Sequence, residues 1–249
     1  MKRIPQIDGL RAIAILLVLT FHYVNNQLVN STGTAGVFFY KLTSFGWIGV
    51  DLFFVISGFL IGSILLLNRK SPKLYKTFYI RRFVRIVPNY YLLIVLFMVI
   101  QSLPLFRDDY FVSGNNVIPA WSYFLMIHNF FMAHLQNMGN DALSVAWSIG
   151  IEEQFYLIFP VIILTLKEKY LPVLLILLIV SANYFRSLYT NWIPAYVLLP
   201  CRMDSISFGI LIAWLYTNYD MEQLVRRHKI KLMGTIGVVA MVCLYLFYE

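Results

Sequence analysis

The sequence predicts an all-α fold: a polytopic transmembrane bundle of about seven spanning helices, with one further segment that enters or lies along the membrane without crossing it. Three observations predict this. Of 249 residues, 60% are apolar or aromatic and only 13% are charged, roughly half the charged share of a soluble domain. Mean hydropathy is +0.72. The apolar residues gather into runs of about 16–22, the length a helix needs to cross ~30 Å of hydrocarbon. Backbone polar groups in that medium must be satisfied within the segment, so continuous apolar runs read as helices.

Taken in order, the spans are predicted at residues 10–28, 46–67, 87–103, 144–166, 171–185, 203–216 and 232–248. The first resembles a secretory leader because MKR precedes an apolar run. Asp8 and Arg11 interrupt it and no small-residue cleavage site follows, so it is expected to stay as the first helix. Residues 117–135 (VIPAWSYFLMIHNFFMAHL) are also apolar but contain Pro119, His128, Asn129 and His134.

Basic residues decide how that stretch is read. Lys2, Arg3 and Arg11 lie at the start, and seven Lys and Arg crowd residues 69–85. Lys167 and Lys169 follow the fourth span, and Arg226, Arg227, Lys229 and Lys231 follow the sixth. With the N-terminus in the cytoplasm, sixteen of the twenty basic residues lie inside, provided residues 117–135 do not cross. The stretch is therefore expected to be re-entrant or to lie along the outer face of a multi-pass cell-membrane protein. No internal repeat and no Gly/Ser- or Pro-rich linker divides residues 1–249, so the chain reads as a single domain. The net charge of +8 sits beside oily, aromatic-rich runs, which argues for a lipid bilayer partner and not nucleic acid. Cys201 and Cys243 fit no metal or redox spacing, and no metal site is expected.

The polar residues inside the spans carry the functional reading, because intramembrane ionisable groups are costly. His22 follows Arg11 by eleven residues, which is about 16 Å of helix rise, and both fall on one face. By position along their helices, Asp51 and one of Glu152 and Glu153 come to a depth near that of His22. Arg82 and Arg85 stand with Arg11 at the cytoplasmic side, while Arg202 and Asp204 begin the sixth span near the outer face, acceptor-side or structural. Two layers result: basic groups inside, a His–carboxylate layer toward the outside.

Five blocks in this order carry a family resemblance: IDGLRAIAILLVLTFH, GVDLFFVISGFLI, FYIRRFVRIVPNYY, WSIGIEEQFYLIFP and CRMDSISFG. The chain resembles membrane-bound acyltransferase family 3, the bacterial integral-membrane O-acyltransferases. The resemblance implies acyl-CoA as donor, acetyl-CoA foremost, taken from the cytoplasm, with no tightly bound cofactor. It implies an acceptor hydroxyl on the far side, belonging to a cell-surface or exported carbohydrate. It marks His22 as catalytic, Arg11 as its companion, Arg82 and Arg85 as a donor-associated R-x-x-R pattern, and Glu152 and Glu153 as family glutamates. Members carry more helices than the seven counted here, so the last helices of the family fold are expected to be missing.

The chemistry fits those residues. Guanidinium forks bind phosphates of coenzyme A. A neutral imidazole takes the proton of an attacking hydroxyl, and Glu152, Glu153 or Asp51 would orient it. Which glutamate faces His22, and whether the acyl group rests on a side chain such as Ser57, the sequence leaves open. A membrane transporter or flippase is the alternative, although such folds often show internal repeats.

Overall fold

The computed structural model describes residues 4–30, 33–103 and 118–220, and all regular structure in them is helical. Six helical stretches are long and apolar enough to cross a membrane: Pro5–Asn25, Thr34–Leu67, Leu74–Ser102, Ala142–Thr165, Glu168–Ser187 and Trp192–Asn218. They answer one for one to the first six predicted spans. The seventh, residues 232–248, lies outside the described residues.

Helix α1 (Pro5–Leu19) opens with proline in its first turn and Asp8 near its N-terminus, both favoured there by the fixed φ and the helix dipole. It continues through a π-helical turn, Thr20–Asn25, which carries His22. The Asn25 amide donates to the Tyr40 carbonyl and the Thr43 hydroxyl, tying this end to α2 (Thr34–Ser44).

Helix α3 (Ile48–Leu67) is the centre of the bundle, with nine of its twenty residues buried, as expected of a helix that is apolar all round. On one side Gly49 packs against Ala14, Leu17 and Val18 of α1, and Gly46, just before α3, packs on Leu17 and Phe21. On the other, Gly58 rests on the Ile206 carbonyl of α10 (Leu199–Asn218), and Gly209 of α10 rests on the Val55 carbonyl. A Cβ at Gly58 or Gly209 would collide with the facing backbone. These contacts make α1 antiparallel and α10 parallel to α3.

Helix α4 (Leu74–Ser102) runs thirteen residues further back than the predicted span at 87–103. Hydropathy ends where YIRRFVR begins, but arginine is a good helix former whose aliphatic stem packs along the helix. Residues 118–135 form no helix long enough to cross a membrane, as expected of a re-entrant or surface-lying segment. Two short helices, α5 (Ala120–Phe124) and α6 (His128–Leu135), are joined by a turn in which Met126 has φ 56. Ser122, His128, Asn129 and Met132 are fully buried. Tyr90 and Tyr91 of α4 donate to the Tyr123 and Phe124 carbonyls. Gln154 of α7 (Trp147–Thr165) donates to the Met126 carbonyl and Asn129 Oδ1, and Asn129 donates to the Val197 carbonyl. The hairpin is thus anchored inside the bundle. Helix α8 (Leu171–Ser187) and the short α9 (Trp192–Val197) complete the described fold.

Gly58→Ala is expected to destabilise the bundle by about 1–3 kcal/mol through overpacking, outweighing alanine's ~1 kcal/mol advantage in helix propensity. Gly9→Ala, whose Cβ would meet nothing within 4 Å, is expected to leave stability unchanged or raise it. Thermal unfolding midpoints of the two variants in detergent check the contrast.

Candidate active site

Two polar sites lie in the bundle, and α3 contributes to both. In the first, Ser57 Oγ of α3 meets the Tyr156 hydroxyl of α7 at 2.5 Å. Glu152 stands one turn before Tyr156, so the two share a helix face, and its carboxylate lies against both hydroxyls. Glu152 is 9% exposed, and its Oε1 is buried without a hydrogen-bond partner. The Arg82 guanidinium sits 5.1 Å over the Tyr156 ring and 5.8 Å over Phe78. Arg82 and Arg85 both act electrostatically on Glu152, and Arg11 feels Arg85, Arg82 and Tyr156 while pairing with Asp8 at 3.7 Å. The three arginines expected to gather do gather.

Beside this cluster a cavity of about 500 Å³ opens between α4, α7 and the hairpin tip. Arg82, Glu153, Gln154 and Tyr156 supply its polar groups, and apolar side chains such as Phe83 and Met126 line the rest. Adjacent helix positions differ by 100°, which separates the two glutamates. Glu152 faces α3, whereas Glu153 faces the cavity, its Oε1 also buried and unpartnered. Orphaned buried carboxylate oxygens cost free energy, so both point to a group that would complete them.

The second site lies about 9 Å nearer the N-terminus of α3, at Asp51. Arg202 of α10, 7% exposed, donates from Nη1 to Asp51 Oδ1 and Oδ2 at 3.1 and 3.3 Å and from Nε to the Tyr196 carbonyl. Its guanidinium stacks 4.3 Å over the Tyr196 ring. Ser205 donates to Asp51 Oδ1 at 2.8 Å. Arg186 and Asp204 form a neighbouring ion pair at 2.7 Å.

The structure does not assemble the expected His–carboxylate layer. His22 is exposed on the π-helical turn, its ring edge-on to Phe21 with centroids 5.4 Å apart. Among the described residues no carboxylate pairs with it: Asp51 is held by Arg202 and Ser205, and Glu152 by Ser57 and Tyr156. The physical reason is azimuth. Position along a helix gives depth, but Asp51 lies two residues, or about 200°, beyond Gly49, which faces α1. Asp51 therefore turns to α10. Sequence reasoning also missed Tyr156, whose i, i+4 spacing from Glu152 was the available signal, and the Gln154–Asn129 pair.

His128 is fully buried in the hairpin, stacked on Tyr123 with centroids 4.5 Å apart and 11° between the planes. Its ring nitrogens make no hydrogen bond of good geometry, and burial pushes its pKa down to about 4. Among the described residues no group of three His, Cys, Asp or Glu could hold a metal ion.

This arrangement of arginines and carboxylates beside a cavity can be set against known proteins. A family model described as an acyltransferase domain (acyltransferase family 3) matches residues 4–249. The chain belongs to this family. The peptidoglycan O-acetyltransferase OatA of Listeria monocytogenes is 32% identical over 264 residues, covering 99% of this chain and 39% of that protein. A Staphylococcus aureus relative carrying O-acetyltransferase in its name is 30% identical over 267 residues, covering 98% of this chain and 41% of that protein. The chain thus spans about two-fifths of the length of these curated relatives. No solved structure matches it.

Because the folded state holds His128 neutral, the unfolded chain takes up its proton first as pH falls. Its contribution to stability is complete above the unfolded value of ~6.5 and is lost as pH falls toward the folded value of about 4. His128→Phe retains a stacking ring and is expected to flatten the fall in unfolding midpoint between about pH 6.5 and 4. Thermal melts across that range measure it.

Proposed function

We propose that this acyltransferase-family chain is an integral-membrane O-acetyltransferase. It moves an acetyl group from acetyl-CoA, entering at the cytoplasmic side, to a hydroxyl of a cell-surface or exported carbohydrate. One observation carries the reading: Glu152, buried with an unpartnered oxygen, lies within the field of Arg82 and Arg85 beside a cavity large enough for the arm of a donor. The N-terminus is taken as cytoplasmic because sixteen of the twenty basic residues then fall on the inner side, as positive-inside topology favours.

In this reading Arg11, Arg82 and Arg85 bind the phosphates of coenzyme A through charge-assisted hydrogen bonds. Glu153, Gln154 and Tyr156 line the cavity and hold the amide-bearing pantetheine arm, with Ser57 and Glu152 supporting Tyr156 from behind, so the glutamates act on the donor and not on His22. The thioester is presented toward His22, about 16 Å of helix rise from Arg11. His22, exposed on its π-helical turn, accepts the proton of the acceptor hydroxyl. The hydroxyl oxygen bonds to the acetyl carbon, the carbon–sulfur bond breaks, and the proton leaves with the thiolate as free CoA. A π-helical turn is a frequent companion of functional residues.

Acceptor-dependent release of CoA thiol from acetyl-CoA tests the reading. His22→Ala is expected to lower turnover by at least about 100-fold, the usual contribution of a general base, while acetyl-CoA binding persists. Turnover retained in that variant would remove His22 as the base. Arg82→Ala combined with Arg85→Ala is expected to raise the KM for acetyl-CoA at least about tenfold, the cost of losing a hydrogen bond to a charged group. A change confined to the acceptor KM would place these arginines elsewhere in the mechanism.

A further inference from the structure

The joint between α7 and α8 carries a groove and a set of charges that the transferase reading does not use. After Thr165 the chain turns back through LKEKY, residues 166–170, and re-enters the bundle as α8. Both flanking stretches are long and apolar enough to span, so this connection marks one membrane boundary. In the topology proposed above it is the inner one. Between the two helices runs a groove of about 390 Å³. Ile162 and Leu166 belong to one wall, Val173, Leu174 and Leu177 to the other, and Tyr170 to the boundary end. From Tyr170 to Leu177 the helix rises about 10 Å, roughly two-thirds of one leaflet of a ~30 Å core.

Inside the groove nothing asks for a polar ligand. Thr165, which also lines it, turns its hydroxyl back on the Val161 and Ile162 carbonyls of its own helix. An apolar chain can therefore lie there without stranding a donor or acceptor.

The boundary end is different, because its charges do not cancel. Glu168 stands between Lys167 and Lys169 in the sequence but is engaged elsewhere. Its Oε2 lies 3.9 Å from Arg69 Nη1, and its Oε1 accepts from Asn218 of α10 at 3.3 Å. Arg69 also donates from Nη2 to the Leu166 carbonyl, which ties the end of α7 to the segment that follows α3. Arg69 and Glu168 thus neutralise each other and leave two lysines over. Lys167 and Lys169 are exposed, and among the described residues neither comes within 4 Å of a carboxylate. The Lys169 ammonium is held 4.8 Å over the ring of Tyr170, itself a groove residue.

Two unpaired cations at the membrane boundary above an apolar groove fit one class of occupant. A soluble anion would leave the groove empty, and an uncharged acyl chain would leave the lysines unused. A zwitterionic headgroup would bring its own ammonium toward them. Basic pockets between helices on the inner side suit lipids with a net negative headgroup. We infer that this groove is an anionic-phospholipid site: an acyl chain lies between α7 and α8, and the headgroup phosphate sits at Lys167 and Lys169. The inference is independent of the transferase reading, because neither donor nor acceptor enters it.

Native mass spectrometry of the purified chain in a nonionic detergent, titrated with dioleoyl phosphatidylglycerol, counts bound lipid and gives its affinity. One lipid is expected to bind more tightly than dioleoyl phosphatidylcholine does. Lys167→Gln combined with Lys169→Gln is expected to weaken phosphatidylglycerol binding by an order of magnitude or more, about fivefold for each charge removed, the worth of a basic residue near an anionic surface. Lys73→Gln combined with Lys76→Gln, two exposed basic residues at the start of α4, is expected to leave it unchanged. Val173→Trp, which fills the groove from a largely exposed position, is expected to weaken it while the unfolding midpoint stays in place. Equal losses from the two lysine pairs would show diffuse attraction to the surface and overturn the inference. Binding that ignores Val173→Trp would remove the groove from it. Displacement of the lipid by glycerophosphoglycerol, the headgroup without chains, would make this a site for soluble phosphates and overturn it as well.

Discussion

The close backbone contact between α3 and α10 is the constraint on which the other features depend. Lipid offers no hydrophobic drive for one helix to join another, so association rests on packing at short range and on interhelical hydrogen bonds. Gly58 and Gly209 allow that approach because neither carries a Cβ to collide with the facing carbonyl. With α10 held there and α1 held at Gly46 and Gly49, α3 has fixed neighbours around its circumference. Two of its polar residues then have determined partners. Ser57 and Asp51 are six residues apart, about 9 Å along the axis and about 240° around it. One meets Tyr156 of α7, and the other meets Arg202 of α10.

The two sites differ in how completely their buried groups are satisfied. At the α10 end each charge has an opposite charge in contact, Arg202 with Asp51 and Arg186 with Asp204. Such pairs are expensive to desolvate, yet they cost more when broken, so they hold a fixed shape. The α7 cluster is left incomplete. Glu152 and Glu153 each keep one buried oxygen without a partner although arginines stand nearby. A preorganised neutral pocket suits a ligand read by shape and hydroxyl geometry. An under-satisfied cluster of guanidinium and carboxylate groups suits a ligand that brings its own phosphates and amides.

Much of the architecture was legible because hydropathy reports lipid burial directly. The charge count favoured a stretch at 117–135 that does not cross, and residues 118–135 indeed form only short helices. The length of α4 was not legible, since a hydropathy boundary marks where lipid contact ends and the helix continues through RRFVR regardless. At the site, the arginine cluster was foreseen because Arg11, Arg82 and Arg85 come to a similar depth, and depth can be read from position along a helix. The carboxylates were misgrouped because contact also requires azimuth. Azimuth is set by tertiary neighbours such as Gly49 and Gly58, which carry no charge and attract no notice in a search for polar residues.

Two independent measures along the helices agree on how far the donor cluster lies from the proposed base. Along α1, eleven residues separate Arg11, within the field of Arg85 and Arg82, from His22. Along the neighbouring chain, eleven residues separate Gly46, packed on Phe21, from Ser57, bonded to Tyr156 beneath Arg82. Each amounts to about 16 Å of rise, so the arginine cluster and the turn that carries His22 are fixed relative to each other by two antiparallel helices at once. A donor able to use both ends must be charged at one end, extended in the middle and reactive at its tip. An acyl thioester on a long amide-bearing arm with phosphates behind it has that form. A compact acyl donor would leave either the arginines or His22 without a role.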